Sequence, residues 1–271
     1  GIGYLSSSLN KNGIKAKIID GLRTGLTHDE LLKQIIAEKP DAVGITCLTS
    51  FYNEVIALSK ALKEKGYKVI IGGVHPTFLP LEALKDSGAD YVVIGEGEIA
   101  LVKLAKNKFV NNNIPGVYSK KDLEKGKPLV KAEAIKNLDE LPYPDWKQLD
   151  PNTYPKAPHG AFVKNFPIGV IMTTRGCPYQ CTFCASRKFY DIKIRYRTPE
   201  NVIEEIKYLV KNYGIKEVHF EDDNLTLKRD HVEKICNLIL ENNLKISWAC
   251  PNGIRADKVD EELIKLMKKS G

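Results

Sequence analysis

At 271 residues the chain can bury a sizeable core and has room for two domains. Its 43% hydrophobic and 28% charged residues are ordinary for a soluble globular protein, and no apolar run reaches the length of a membrane span or opens the chain as a signal peptide. The net charge of +7 comes mostly from dispersed lysines, with no basic block interleaved with aromatics, so nucleic-acid binding is not indicated.

In chain order, residues 1–12 read as a helix with Ile2, Leu5 and Leu9 on one face, stopped at Asn12-Gly13. Ile14 to Asp20 reads as a strand. Thr27-His28-Asp29-Glu30 is a capping box that opens a helix through Ala37, with His28 exposed in its first turn. Asp41–Thr46 is the next strand, Asn53–Lys65 a helix ended by Gly66, Lys68–Val74 a third strand and Tyr91–Ile94 a fourth, with a helix after Gly97-Glu98. Short, nearly all-apolar strands alternating with helices predict an α/β doubly wound parallel sheet over roughly residues 1–108.

Ligands of such sheets bind beyond the carboxyl ends of the strands. Those ends carry Asp20-Gly21, Thr46-Cys47-Leu48-Thr49, Gly72-Gly73 and Gly95-Glu96-Gly97. Small residues there let backbone N–H groups approach a bulky or phosphorylated ligand, although glycine turns also end strands for purely steric reasons. His75, before Pro76, has a structural reading as a turn residue beside that edge.

Residues 109–165 carry turn and linker chemistry, including Pro115-Gly116 and Pro142, Pro144, Pro151, Pro155 and Pro158. Gly116–Ser119 and Pro128–Lys131 could pair as a small hairpin, and Tyr143 and Trp146 read as aromatics that pin a connector to a domain surface. From Phe166 the β/α alternation resumes: a strand over Ile168–Thr174, and a helix from Thr198-Pro199-Glu200 to Gly214. A strand over Glu217–Glu221, a helix over Asp230–Asn242, a strand over Lys245–Cys250 and a helix from Asp260 follow. Cys236 and Cys250 fall on apolar faces and read as core.

The densest chemical signal lies between the first two of those later strands. Cys177, Cys181 and Cys184, half of the six cysteines, are spaced C-x-x-x-C-x-x-C on a loop leaving a strand. Three thiolates can hold one metal centre but cannot close a four-ligand site. A structural zinc site takes four protein ligands, and with no second Cys pair present a remote His or Cys would have to supply the fourth. An iron–sulfur cube on three cysteines keeps one iron open. Clustered reduced thiols also fit a reducing, cytoplasmic setting.

With Phe183 as its aromatic, this loop resembles the signature of the radical S-adenosylmethionine superfamily. Upstream, Thr46-x-Leu48 and Gly72-Gly73 resemble the cobalamin-binding fold, and Gly95-Glu96-Gly97-Glu98 with Gly72 to Thr77 resembles the cobalamin-type members of that superfamily. The resemblance implies a [4Fe-4S] cluster on Cys177, Cys181 and Cys184, with Phe183, Asp222, Asp223 and Arg255 toward S-adenosylmethionine. It places cobalamin at Thr46, Leu48, Gly72, Gly73, Gly95, Glu96 and Gly97. Asp222-Asp223-Asn224 could instead cap the next helix, and Arg255 could pair with Asp257 or Glu261 on the surface.

The implied organisation is a cobalamin-binding-like domain at 1–108, a linker at 109–165, and at 166–271 the first three βα units of a partial (β/α)6 barrel. Gly1 is not Met and Gly271 follows a helix, so the chain reads as a fragment cut at both ends, lacking the first strand (with the Asp-x-His-x-x-Gly motif of some members) and the second barrel half. The implied activity is reductive cleavage of S-adenosylmethionine for methylation of an unactivated centre or for radical cyclisation of a small-molecule substrate, with an electron donor such as flavodoxin or ferredoxin. Two alternatives are a methylthiotransferase, disfavoured because only Cys47 precedes Cys177, and a zinc-stabilised binding module.

Overall fold

The computed structural model describes residues 1–157, 161–190 and 192–271. The chain forms two compact units, Gly1–Ile135 with Phe183–Tyr190, and Lys136–Thr182 with Asp191–Gly271.

In the first unit α1 (Ile2–Lys11), α2 (Gly21–Thr24) and α3 (His28–Ala37) precede β1 (Val43–Thr46). The Thr27–Glu30 capping box that opens α3 is formed at both ends. Then come α4 (Tyr52–Glu64), β2 (Val69–Gly72), α5 (Val74–Phe78), α6 (Pro80–Ser87), β3 (Tyr91–Val93), α7 (Glu98–Lys106), β4 (Val117–Tyr118) and α8 (Lys120–Glu124). The strand order is β1-β2-β3-β4, parallel except for β4. Successive strand residues point to opposite faces, so Val69 and Ile71 pack with Ile35, Val55, Leu58, Leu62 and Leu84 on one side. Ile70 packs with Ala100, Leu104 and Val117 on the other. Both faces are covered, as the doubly wound reading requires.

Three local features differ from the sequence expectation. Ile14–Asp20 alternates in exposure but is not among the assigned strands, because alternation specifies a face while a ladder needs a partner in register. Strand β2 stops at Gly72, since Gly73 turns the chain with φ of 110° and Val74 already begins α5. The small hairpin does not form. Val117–Tyr118 pairs antiparallel with β3, and the 128–132 stretch is tied down by Val130 N–H donating to the Tyr118 hydroxyl at 2.6 Å and Ala132 N–H to Ile94 O at 2.8 Å.

In the second unit β5 (Ile168–Ile171), β6 (Thr174–Arg175) and β7 (Arg195–Tyr196) are followed by α10 (Pro199–Tyr213); the short α9 (Ser186–Phe189) belongs to the segment grouped with the first unit. Next are β8 (Glu217–Phe220), α11 (Arg229–Glu241), β9 (Ser247–Ala249) and α12 (Glu261–Lys269). Strands β5, β8 and β9 form a parallel sheet in the order β5-β8-β9, so each of the three βα units lays its strand beside the previous one. Val202, Ile203, Ile206 and Leu209 of α10 and Val232, Ile235, Cys236 and Ile239 of α11 pack on Val218 and Phe220. Cys236 is thus core, and Cys250 packs partly buried against the same cluster. Trp146 of the connector is buried in it as well. Thr198 caps α10 with Pro199 at its first position, and Gly214 ends it in a left-handed conformation.

The single strand expected over Ile168–Thr174 is divided into β5 and β6. Past Ile171, whose carbonyl accepts Glu221 N–H, the chain leaves β8 and pairs instead with β7 in a separate two-stranded ladder. Pro158 lies outside the described residues.

Candidate functional site

The carboxyl end of the second unit's sheet is built around Asp222. The residue follows β8, is 1% exposed, and its Oδ1 accepts from Thr173 N (3.0 Å), Thr173 Oγ1 (3.0 Å), Thr174 N (2.5 Å) and Thr174 Oγ1 (2.6 Å). Its Oδ2 is buried with no hydrogen-bond partner, as is Asn224 Nδ2. Burial pushes the Asp222 carboxyl up to about 6, against the opposing hydrogen bonds from Thr174 and Thr173. Asp222 does not cap α11, whose N-terminus has no side-chain cap. Asp223, next in sequence, is half-buried.

Thr174 is followed three residues later by Cys177. Cys177 is half-buried, whereas Cys181 and Cys184 are exposed and Phe183 is 91% exposed. Among the described residues no three His, Cys, Asp or Glu side chains lie close enough together to hold a metal ion. As a donor set they fit an iron–sulfur cluster, with three soft sulfur ligands inside one eight-residue loop, two of them open to solvent. Arg255 follows β9; its guanidinium lies 3.9 Å from the centroid of the Tyr179 ring, in the middle of the cysteine loop, and pairs with Asp257 at 2.8 Å. The surface ion pair is therefore formed, and the same side chain also stacks on the loop.

In the first unit the structure brings Thr46, Gly73 and Gly95 together. A Cβ on Gly73 would stand 2.8 Å from Cys47 O and 3.3 Å from Thr46 Oγ1, so glycine is required where the β2 loop crosses the end of β1. The Thr77 hydroxyl donates to Gly73 O at 2.8 Å and accepts Gly95 N–H at 3.0 Å, which ties the second and third strand ends. Leu48 is 46% exposed and Thr46 is exposed, so an incoming molecule can reach both. Gly72 has open space toward an ordinary contact with Val93, and Glu96 is buried. Gly97 is set apart, because its missing side chain makes room for Leu5 of α1, 3.1 Å from where a Cβ would sit.

His75 is buried, with Nδ1 3.2 Å from Thr49 Oγ1 and its ring stacked on Tyr52 at 3.9 Å. Its Nε2 has no hydrogen-bond partner and stands 3.6 Å from Glu82 Oε1. An exposed Thr46–Leu48 edge, a glycine-lined crossing and an orphaned buried nitrogen are what a large polar cofactor can use, so these residues fit a corrinoid.

The Thr173–Thr174 pair, His231, Tyr179 and Tyr52 join these sites without a role read for them in the sequence, whereas Thr49 was already placed at its strand end. The Thr-Thr doublet at a strand end was the available signal. His231 carried none, since a histidine on a buried helix face has a core reading by default.

The residues 1–105 match the B12 binding domain family and residues 171–271 the Radical SAM superfamily. The chain therefore carries a B12-binding domain followed by a radical S-adenosylmethionine domain, the pairing that its cysteine loop and glycine-lined strand ends resemble. Over its whole length it is 35% identical to an uncharacterized methyltransferase of Pyrococcus horikoshii, covering 58% of that protein. It is also 29% identical to the cytidylyl-2-hydroxyethylphosphonate methyltransferase of Streptomyces wedmorensis, covering 59% of it, again with the whole of this chain. The anaerobic magnesium-protoporphyrin IX monomethyl ester cyclase of Rubrivivax gelatinosus is 29% identical over the whole chain, which covers 49% of it.

In fold, 99% of the chain matches 54% of the radical S-adenosylmethionine methyltransferase TsrM from Kitasatospora setae with a TM-score of 0.78 at 20% identity. The chain thus spans between 49% and 59% of these relatives' lengths. No helix among the described residues is long and apolar enough to cross a membrane.

Proposed function

We propose that the chain is the cofactor-carrying part of a cobalamin-dependent radical S-adenosylmethionine enzyme that methylates an unactivated centre, or cyclises, a small-molecule substrate. The observation that carries the reading is the three-cysteine loop of Cys177, Cys181 and Cys184, leaving the carboxyl end of a parallel sheet downstream of a B12-binding domain. Methyltransferases and a cyclase among the relatives support both outcomes.

In this reading the thiolates of Cys177, Cys181 and Cys184 would hold a [4Fe-4S] cluster, which when bound would supply the electron for reductive cleavage of S-adenosylmethionine. The chain's own residues bind and orient. Asp222 and Asp223 offer anionic acceptors to an ammonium, Phe183 lies between the second and third cysteines, and Arg255 offers a bidentate cation to a carboxylate while its stack on Tyr179 fixes its plane. Thr46, Leu48, Gly72, Gly73, Gly95 and Glu96 form the cobalamin edge in a domain of about residues 1–108, before a linker to about 165, while Gly97 is taken up by packing against Leu5. A cytoplasmic setting and a flavodoxin- or ferredoxin-like reductant complete the reading.

The test is anaerobic reconstitution of the full-length protein. Iron and sulfide near four per chain, retained cobalamin, and 5′-deoxyadenosine formed on reduction with S-adenosylmethionine are expected, and all cluster absorbance is lost in C177A, C181A and C184A. A colourless, zinc-loaded protein overturns the proposal.

A further inference from the structure

The ladder between β5 and β8 ends with Glu221 N–H donating to Ile171 O, and the chain must then turn into β6 while Thr173 and Thr174 are both buried. Their backbone N–H groups have left the ladder, and a buried N–H without an acceptor is costly. One carboxylate oxygen of Asp222 takes both, together with both hydroxyls. Four donors converging on Oδ1 fix the position and direction of the segment three residues before Cys177.

We propose that Asp222 is a positioning residue for the cysteine loop: acting through Thr173 and Thr174 it sets the stem from which Cys177 departs, and His231 braces that stem. The inference rests on the reading that this loop holds the cluster. Thr173 has one hydroxyl proton, which goes to Asp222, so its oxygen lone pair accepts from His231 Nε2, 3.1 Å away. His231 comes from α11 and also packs edge-on against Tyr196 of β7, at 5.1 Å between ring centres. The β6–β7 ladder is thereby held from the same two residues, and Thr173 O accepts Arg197 N–H at 2.8 Å just beyond β7. The arrangement uses only Oδ1. A contact from Oδ2 to a ligand is a separate property, and the two can be separated by substitution, because Asn keeps an acceptor at Oδ1 and Ala does not.

The experiment uses the full-length protein, reconstituted anaerobically as wild type, D222A, D222N and T174V. Iron and sulfide per chain are measured, with the electron paramagnetic resonance spectrum of the reduced cluster before and after adding S-adenosylmethionine, and folding is followed by circular dichroism. Partners bonded directly to metal ligands typically change metal affinity 10–100-fold; Asp222 acts one step further out, through Thr173 and Thr174, so D222A is expected to retain about threefold less iron than wild type, with a broadened spectrum.

D222N should retain most of its iron, and T174V, which loses one hydroxyl donor at constant shape, should fall between. Wild-type loading and line shape in D222A overturn the proposal, even if the response to S-adenosylmethionine is lost, because Asp222 is then a ligand contact alone. D222N loading as poorly as D222A overturns the hydrogen-bond account. Should D222A fail to fold, full loading of T174V overturns it instead. Wild-type protein that takes up no iron defeats the cluster reading itself.

Discussion

Arg197 and Glu205 form an ion pair at 2.5 Å inside the second unit, with Glu205 fully buried and Arg197 nearly so. The pair is fully engaged: Arg197 also donates to Met172 O and Asn201 Oδ1, and Glu205 Oε1 accepts the indole N–H of Trp146 at 2.9 Å. It links the strand end that leads to the cysteine loop, the first turns of α10 and the connector. Removing one partner leaves a buried charge uncompensated. E205A is therefore expected to lose about 3–5 kcal/mol of stability, and the apolar double variant R197M/E205L less than E205A alone, by urea unfolding of the full-length protein. An E205A midpoint equal to wild type would sink the argument.

Two buried groups on this edge give stability opposite pH slopes. Asp222 titrates at about 6 in the folded protein instead of 3.8, so its contribution is present below 3.8 and is lost as pH rises through about 6. His231 is pulled from 6.5 to about 4 by burial and by the charge of Lys228, so its contribution is present above 6.5 and is lost as pH falls through about 4. Each amounts to something on the order of 3 kcal/mol, and across pH 4–6.5 they offset one another. Removing either should unmask the other: stability of D222N climbs from pH 4 to 6.5, while that of H231N falls over the same range. Denaturant midpoints at three pH values test this, and two parallel curves would contradict it.

Gly73 occupies backbone space, with φ of 110° and ψ of −165°, that side chains rarely enter. G73A would also press a Cβ on the Cys47 carbonyl. We expect a loss of about 2–4 kcal/mol. Corrin absorbance retained after desalting should drop with it, whereas G44A, at a position with open space around it, should leave both near wild type. Equal retention by G73A would remove Gly73 from the site.

The fold was legible where the signal is local and redundant. Thr27 with Glu30, Thr198 with Pro199, and Gly214 each announce a helix end through a bond or conformation made within one turn, and all three occur as read. The strand expectation for Ile14–Asp20 and the hairpin at 116–131 failed for a common reason. Pairing depends on which distant segment offers free N–H and C=O groups, and Val117–Tyr118 found them on β3. At the site the cysteine spacing was readable because a C-x-x-x-C-x-x-C pattern is a local signal within eight residues. The Asp222–Thr173–His231 chain was not, since Thr173 lies 49 and 58 residues from its two partners and meets them only when α11 docks on the sheet.

The order of the two domains and the close spacing of the three thiols could be read from the sequence alone, because each is carried by a local pattern of residues. Tertiary structure alone decided the rest. It turned the strand at Thr173, gave Asp222 its four donors and raised its carboxyl by burial, placed Arg255 over Tyr179, and assigned Gly97 to helix packing against Leu5. Those are statements about which buried groups share a partner, and partners are chosen by packing.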